Sequence, residues 1–302
     1  MNPDIRHLDL NLLKALDALL DERSVTRAAA RLSLTQPAVS GMLTRLRESF
    51  NDPLFVRAQR GMVPTLRAEQ LAGPVKQMLT AIGQMLQPHA FEPHTATMTL
   101  SLASTDYALR AVVVPFLSAL RVHAPNIRIT VQPVDPQQLP GQLDRGDIDL
   151  ALVTPESTPP GLHSAALFDE RYVCVMRDDH PESRHEALTL ERFCALDHAL
   201  VSPAGGAFEG VTDHALARIG RSRRVTVSVT SFLVLPEILR ASNLIAVVPR
   251  RLALHADGLL MREPPLDIPG FGKTVAWHER THHDPAHTWL RGLLVDTCQA
   301  LG

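Results

Sequence analysis

The sequence predicts an α/β protein that opens with an α-rich winged helix-turn-helix and continues into a larger domain of alternating strands and helices. Three observations predict it. Leucines recur at helical spacing between Leu8 and Leu20. Residues 24–40, Ser-Val-Thr-Arg-Ala-Ala-Ala-Arg-Leu-Ser-Leu-Thr-Gln-Pro-Ala-Val-Ser, read as two short helices joined by a tight turn. From Met98 onward, short apolar runs alternate with amphipathic stretches, the pattern of strand–helix units. At 302 residues and 45% hydrophobic content, the chain has room for two domains and a real core.

The elements follow in order. The leucine spacing gives a first helix that ends near Glu22. Ser24 caps a second helix through Leu32, and Ser33-Leu34 forms the turn. Thr35 caps a third helix, whose first turn tolerates Pro37 because the missing N–H has no partner there. Asn51-Asp52-Pro53 ends that helix. Leu54 to Arg57 and Gly61 to Val63 read as two short strands around a polar tip, a wing. Pro64-Thr65 then starts a long helix to about Leu86, with an apolar stripe of Leu71, Val75, Met78, Leu79, Ile82 and Leu86. Such a stripe suits pairing with a second copy of the helix. Packing on its own domain is the alternative. Gln87 to Thr97 is a linker.

Beyond it, strands are expected at 99–103, 127–134, 148–153, 172–176, 199–201, 225–229, 244–248 and 274–277. Helices are expected at 107–123, 139–145, 213–219, 232–240 and 285–301. Their alternation argues for a largely parallel sheet.

The net charge of −2 does not advertise nucleic acid. The charge is uneven, however. Arg23, Arg27, Arg31, Arg45, Arg47, Arg57 and Arg60 are opposed between residues 23 and 60 only by Glu48 and Asp52. Local positive charge is what phosphate binding needs. Cys174, Cys194 and Cys298 are odd in number and widely spaced, so no disulfide framework is expected. The N-terminus lacks the apolar core of a signal peptide, and no apolar run approaches membrane-spanning length. A cytoplasmic protein with no membrane partner is expected.

Five linked elements carry a resemblance. They are Ala28-Ala29-x-x-Leu32; Thr35-Gln36-Pro37-Ala38-Val39-Ser40; Leu43-x-x-Leu46-Arg47; Asp52-Pro53-Leu54-Phe55-Val56-Arg57; and Gly61-Met62-x-Pro64-Thr65. Together they resemble a LysR-type transcriptional regulator, in the branch of aromatic-compound and nodulation regulators. Leu143-x-x-Gly146-x-Ile148-Asp149-Leu150-Ala151, the run Phe168 to Val175 with His180-Pro181, and Asn243 to Arg251 extend the resemblance along the whole chain. It implies a winged helix-turn-helix over residues 1–64, a linker and dimerisation helix over 65–87, and a hinge over 88–97. It implies an effector domain over 98–302, folded like a type 2 periplasmic binding protein. Lobe I would comprise 98–166 and 268–302, and lobe II 167–267. The implied partners are promoter DNA, a small-molecule effector, RNA polymerase and the chain itself, as a homodimer and then a homotetramer.

Thr35, Gln36, Pro37 and Ser40 are the expected reading set at the start of the third helix. Gln reads adenine bidentately, Pro contacts a thymine methyl, and Ser binds phosphate or a base edge. A bland role as caps is the alternative for Thr35 and Ser40. Gly41 departs from relatives that carry a long polar side chain at that position. Arg57 on the wing suits the minor groove, and Arg45 and Arg60 suit phosphates. Solvated surface charge is the alternative for each arginine.

Ser104 and Thr105 end a strand where a helix starts, which makes a small anion site. Thr230 and Ser231, followed by Phe232, repeat that geometry, and the two pairs are expected to face each other across a cleft. Thr154, His198 and Ser202 fall where the family places further cleft residues. Ordinary capping is the alternative reading of the hydroxyl pairs. Asp106 would repel an acidic effector. A histidine, found at the position of Ser231 in the aromatic-acid branch, is missing.

No metal or cofactor is expected. His278-Glu279-Arg280-Thr281-His282 matches the spacing His-Glu-x-x-His, but that motif needs a helix and here follows an apparent strand. Asp144, Asp147 and Asp149 read as a turn into a strand, and Gly205-Gly206 lacks the Lys of a phosphate loop. No nucleophile–base pair argues for an enzyme. A secreted solute-binding protein conflicts with the first 65 residues.

Overall fold

The computed structural model describes residues 9–58, 61–86, 91–203, 205–254 and 256–300. The chain forms two compact units, residues 1–89 and 90–302.

In the first unit, α1 (Leu10–Glu22), α2 (Val25–Arg31) and α3 (Gln36–Phe50) precede a hairpin of β1 (Phe55–Ala58) and β2 (Gly61–Pro64), followed by α4 (Leu66–Leu86). Every expected cap is in place. Ser24 Oγ accepts from the Arg27 N–H, and Thr35 Oγ1 from the Ala38 N–H. These bonds satisfy amides that a helix start leaves open. Asp52 organises the entry to the wing. Its carboxylate accepts from the Leu54 N–H and the Thr65 hydroxyl, both at 2.7 Å. Those bonds hold Leu54 at φ +58°, an uncommon conformation for a branched side chain. The core joins Leu12, Leu16 and Leu19 of α1 with Ala28, Val39, Leu46, Leu54 and Phe55.

The α4 stripe divides into two faces. Val75 is buried, and Leu71 and Leu79 pack beside it on the unit's own core. Met78, Met85 and Leu86 are exposed, the last two at 80%. Own-domain packing therefore accounts for half of the expected pairing stripe. Pro74 lies inside α4 and deprives the Gln70 carbonyl of its helical donor.

The second unit contains two five-stranded sheets, one per lobe. Lobe I orders its strands β4-β3-β5-β12-β6, from β3 (Thr99–Ser104), β4 (Arg128–Pro133), β5 (Leu150–Val153), β6 (His163–Glu170) and β12 (Phe271–Trp277). Lobe II orders β11-β7-β10-β8-β9, from β7 (Tyr172–Arg177), β8 (Asp197–Val201), β9 (Arg224–Val229), β10 (Ile245–Pro249) and β11 (Leu259–Arg262). In each sheet four strands point the same way, and one, β12 in lobe I or β7 in lobe II, runs antiparallel to both of its neighbours. Both sheets are thus mixed, where the sequence suggested a largely parallel one. The chain crosses between the lobes at Arg171, four residues later than the expected boundary, because β6 stays paired with β12 through Glu170.

The helices of lobe I are α5 (Asp106–Ala108), α6 (Val114–His123), α7 (Leu139–Arg145) and α12 (Pro285–Gln299). A π-helical turn over Leu109–Val113 joins α5 to α6. Pro115 explains the break in the expected single helix, since it lacks the N–H that the Ala111 carbonyl needs. Lobe II adds α8 (Leu190–Ala195), α9 (Val211–Arg218), α10 (Leu235–Arg240) and α11 (Arg250–Ala253). Residues 91–97, expected in the hinge, pack on lobe I: the Phe91 ring lies 5.5 Å from Trp289, and Asn126 donates to the His94 carbonyl at 3.2 Å.

The two crossings lie against each other. A Cβ on Gly270 would sit 2.2 Å from the Glu170 carbonyl oxygen, so only glycine fits there. Glu170 itself is buried. Its carboxylate accepts from the Tyr107 hydroxyl at 2.6 Å and from the backbone N–H groups of Arg171 and Arg251. Burial, then Glu170, raises the Tyr107 phenol far above the ordinary tyrosine range, so it stays protonated and donates.

Candidate nucleic-acid interface and inter-lobe site

The start of α3 projects a polar surface. Gln36, Pro37 and Ser40 are exposed, while Val39, Leu43 and Leu46 of the same helix anchor it in the core. Thr35 is exposed too, but its hydroxyl oxygen is occupied as the cap. Gly41 faces open space: a Cβ there would meet no atom within 4 Å.

The arginines separate by their partners. Arg31 pairs with Asp21 at 2.6 Å and Asp17 at 3.4 Å, and Arg27 with Glu22. Arg47 donates to the carbonyls of Pro53 and Phe55 and so fastens the wing to α3. Arg45 lies 3.6 Å from Asp9, the cap of α1. Arg57, exposed on β1, has no ion pair among the described residues. Arg60 lies outside the described residues. The acids of α1 therefore neutralise part of the basic stretch that looks unopposed in sequence, because Asp17, Asp21 and Glu22 lie outside the window that holds the arginines.

In the second unit, β3 ends at Ser104, and Thr154, Ser202 and Thr230 directly follow the ends of β5, β8 and β9, parallel to their sheet neighbours. Carboxyl ends of parallel strands are where open α/β sheets bind ligands. Residues next to the two hydroxyl pairs meet through a specific bond. Asp106 Oδ2 of lobe I accepts from the Phe232 N–H of lobe II at 2.6 Å, and the Tyr107 and Phe232 rings lie 6.1 Å apart. Asp106 thus occupies an amide that an anion would otherwise use.

The hydroxyls are partly committed. Ser104 is buried and donates to the Thr105 carbonyl at 2.9 Å. Thr105 Oγ1 caps α5 through the Ala108 N–H. Thr154 bonds Ser157, and Ser231 Oγ accepts from the Leu233 N–H. Ser202 is buried and Thr230 exposed. The expected helix start at Phe232 is three residues early. Pro236 lies in the first turn of α10, and Phe232 to Val234 form turns before it.

His198 is corrected. It is fully buried, its Nε2–H donates to the Phe193 carbonyl at 2.8 Å, and Arg223 donates to its Nδ1 at 3.2 Å. Arg223 in turn makes two 2.8 Å bonds to Asp213. Burial pushes the imidazole down to about 4, so it is neutral. With both nitrogens engaged within lobe II, it has none for an effector.

The remaining motifs take structural places. His278 to His282 form a single 3-10 turn; the His282 ring stacks 3.9 Å from His163 and accepts from the Trp277 indole N–H. Asp149 accepts from the Ser101 N–H and bonds His287, while Asp147 pairs with Arg145. Among the described residues, no group of three or more His, Cys, Asp or Glu side chains is arranged to hold a metal, and no helix is long and apolar enough to cross a membrane.

Two family models match. One, of a bacterial regulatory helix-turn-helix protein of the lysR family, covers residues 10–69; the other, of a LysR substrate binding domain, covers 94–299. The chain is 39% identical over 297 residues to the HTH-type transcriptional activator NahR of Pseudomonas putida, covering 97% of this chain and 98% of that one. It is 34% identical over 301 residues to Nodulation protein D 1 of Bradyrhizobium elkanii, covering 98% and 95%. Among solved structures it resembles the "probable transcriptional regulator PA0477" from Pseudomonas aeruginosa, with a TM-score of 0.59, 36% identity, and 96% and 97% of the two chains covered. The chain belongs to the LysR family of transcriptional regulators, DNA-binding and effector-binding proteins rather than enzymes.

Proposed function

We propose that this regulator reads promoter DNA with Gln36, Pro37 and Ser40, steadied on the phosphates and in the minor groove by Arg45 and Arg57. The supporting observation is the exposure of those three side chains at the start of α3, next to a helix face that anchors in the core. Arg57 supports it further as a wing cation without an acidic partner among the described residues. The protein acts in the cytoplasm, where its promoter and RNA polymerase are found. It works as a homodimer paired through the outer face of α4, and dimers associate into a tetramer. Two α3 helices per dimer read an interrupted inverted repeat. NahR is named an activator, and we read the same sign here.

The effector binds between the lobes, among Ser104, Thr154, Ser202, Thr230 and Phe232. Its binding shifts the lobe arrangement and, through α4, the spacing of the DNA-reading units. A ligand moves such an equilibrium only by its differential affinity for the two states.

Gel shift on the protein's own upstream region tests the DNA reading. Gln36→Ala should remove sequence selectivity while keeping the dimer. Arg45→Ala, at the phosphate anchor, should weaken binding to all sequences alike and lower the salt slope by about one. Selectivity unchanged by Gln36→Ala removes Gln36 from the reading set. Ser104→Ala should abolish the effector response at unchanged DNA affinity, and a normal response places the effector elsewhere.

A further inference from the structure

Arg47, in the last turn of α3, spends its guanidinium on the root of the wing. Its Nε–H donates to the Pro53 carbonyl at 2.9 Å and its Nη2 to the Phe55 carbonyl at 3.2 Å. A planar fork spans two acceptors in this way, which a single ammonium does not. The other root is tied as well. Asp52 directly follows Asn51, which ends α3 in left-handed backbone. Asp52 Oδ1 accepts from the Thr65 hydroxyl, and the Thr65 N–H donates to the Leu54 carbonyl at 2.9 Å. Thr65 Oγ1 in turn accepts from the Ala68 N–H at 3.1 Å, in the first turn of α4. Both ends of the hairpin are therefore fastened to the end of α3.

Burial, not these bonds, supplies the cohesion of the unit. Leu54 is fully buried and Phe55 is 3% exposed, in one core with Val39 and Leu46. Arg47 is exposed, and water replaces a lost bond at an exposed donor at little net cost. What the bonds fix is a direction. β1 pairs with β2 alone, and a two-stranded ribbon has no wider sheet to hold its angle. Arg57 lies two residues beyond Phe55, on the same side of β1. The angle at the root thus sets where Arg57 stands relative to Gln36, Pro37 and Ser40.

We propose that Arg47 and Asp52 are positioning residues for DNA reading. They hold the wing at one angle to α3, so that Arg57 meets the minor groove while the start of α3 meets the neighbouring major groove. The proposal rests on the DNA reading above and adds how its two halves are kept in register. Two contacts on one rigid body are made together. A wing free to swing has to be ordered at each binding event, and affinity falls by that ordering cost.

A double-mutant cycle in the full-length protein tests it, by gel shift on the protein's own upstream region well below the unfolding transition. Arg57→Ala and Arg47→Met should each weaken binding about ten-fold. The double variant should bind no more weakly than Arg57→Ala alone, with the same salt dependence, because Arg47 acts only through the wing. Arg47→Lys, which keeps the charge but not the fork, should retain most of the loss. Asp52→Ala should behave like Arg47→Met, and Asp52→Asn, which keeps an oxygen for Leu54 and Thr65, should restore binding. Circular dichroism melts of the same variants should show nearly unchanged Tm for Arg47→Met. Losses that add in the double variant with a lowered salt slope, or wild-type binding by Arg47→Lys, would make Arg47 a phosphate contact and overturn the proposal. A loss that tracks a lowered Tm and appears equally in the Arg57→Ala background would reduce the bonds to fold stability and overturn it too. If Arg57→Ala weakens binding while Arg47→Met and Asp52→Ala bind like the wild type, the wing reading stands and the positioning role falls. If Arg57→Ala itself binds like the wild type, the wing reading fails and the positioning role with it.

Discussion

Gly41 is a residue whose cost has no structural return within the folded unit. It sits in the second turn of α3 with open space where a side chain would be. Glycine inside a helix costs about 1 kcal/mol relative to alanine, so Gly41→Ala should raise the stability of the N-terminal unit by up to about 1 kcal/mol, read by urea unfolding. A loss of stability would mean that the helix needs the bare backbone. The residue scale also shows what the sequence withheld. The exposure of Gln36, Pro37 and Ser40 was legible because capping and helical period fix which way α3 points. The engagement of His198 was not, because its partners Phe193 and Arg223 come from different elements of lobe II. Lys273, only 3% exposed on β12, went unnoticed because a lone lysine in a strand carries no sequence signal until its burial is known. That burial has a pH signature. Below about 8 the ammonium is charged in both folded and unfolded chains, and the folded form carries the full penalty. Between about 8 and the ordinary 10.5 the unfolded chain holds a proton that the folded one has released, so this group's contribution to stability rises with pH. Lys273→Met should therefore stabilise the ligand-free protein near pH 7 by about 1–3 kcal/mol and flatten that rise. Urea unfolding at pH 7 and pH 9 measures both, and a destabilised variant at pH 7 contradicts the account.

At the scale of elements, the missed pieces share a physical cause. β6 and β11 are edge strands, each paired on one side only, and their apolar runs are short, Ala165 to Phe168 in β6 and Leu259 to Met261 in β11. An edge strand buries little, so its sequence is weakly patterned. The two helix errors had a visible signal: Pro115 and Pro236 each mark a helix's first turn, and both fell inside stretches read as uninterrupted helix. The α4 stripe was legible as apolar but not as divided. Leu71, Val75 and Leu79 serve the unit's own core, while Met78, Ile82 and Met85 follow the four-then-three spacing of a coiled-coil seam. The two faces should respond differently to substitution. Met85→Glu should shift the full-length protein toward monomer in sedimentation velocity, with the N-terminal unit still folded. Val75→Ala should leave association intact but cost the unit roughly 1–3 kcal/mol through the cavity it creates. A dimer that survives Met85→Glu would move the interface off this face.

For the whole molecule, the two-lobed plan with two crossings was legible from strand–helix alternation and family resemblance, while the bond between the lobes was not. Asp106 read as an obstacle to an anionic ligand; in the fold it joins lobe I to the amide of Phe232. It lies close in sequence to Tyr107, whose hydroxyl holds Glu170 at the crossing. One short segment therefore touches both the mouth and the hinge of the second unit. A hydrogen bond to a charged group contributes about 1.5–3 kcal/mol, so losing it should shift the balance between closed and open lobes by roughly ten- to hundred-fold. Asp106→Ala should then speed hydrogen exchange at the Phe232 amide by a factor of that order, while the amides of β3 and β5 keep their protection. In a promoter reporter, the same variant should change expression without effector, because the lobes no longer need a ligand to leave the closed state. Exchange at Phe232 that matches the wild type would show that packing between Tyr107 and Phe232 holds the lobes, and the Asp106 bond would then have no part in the switch.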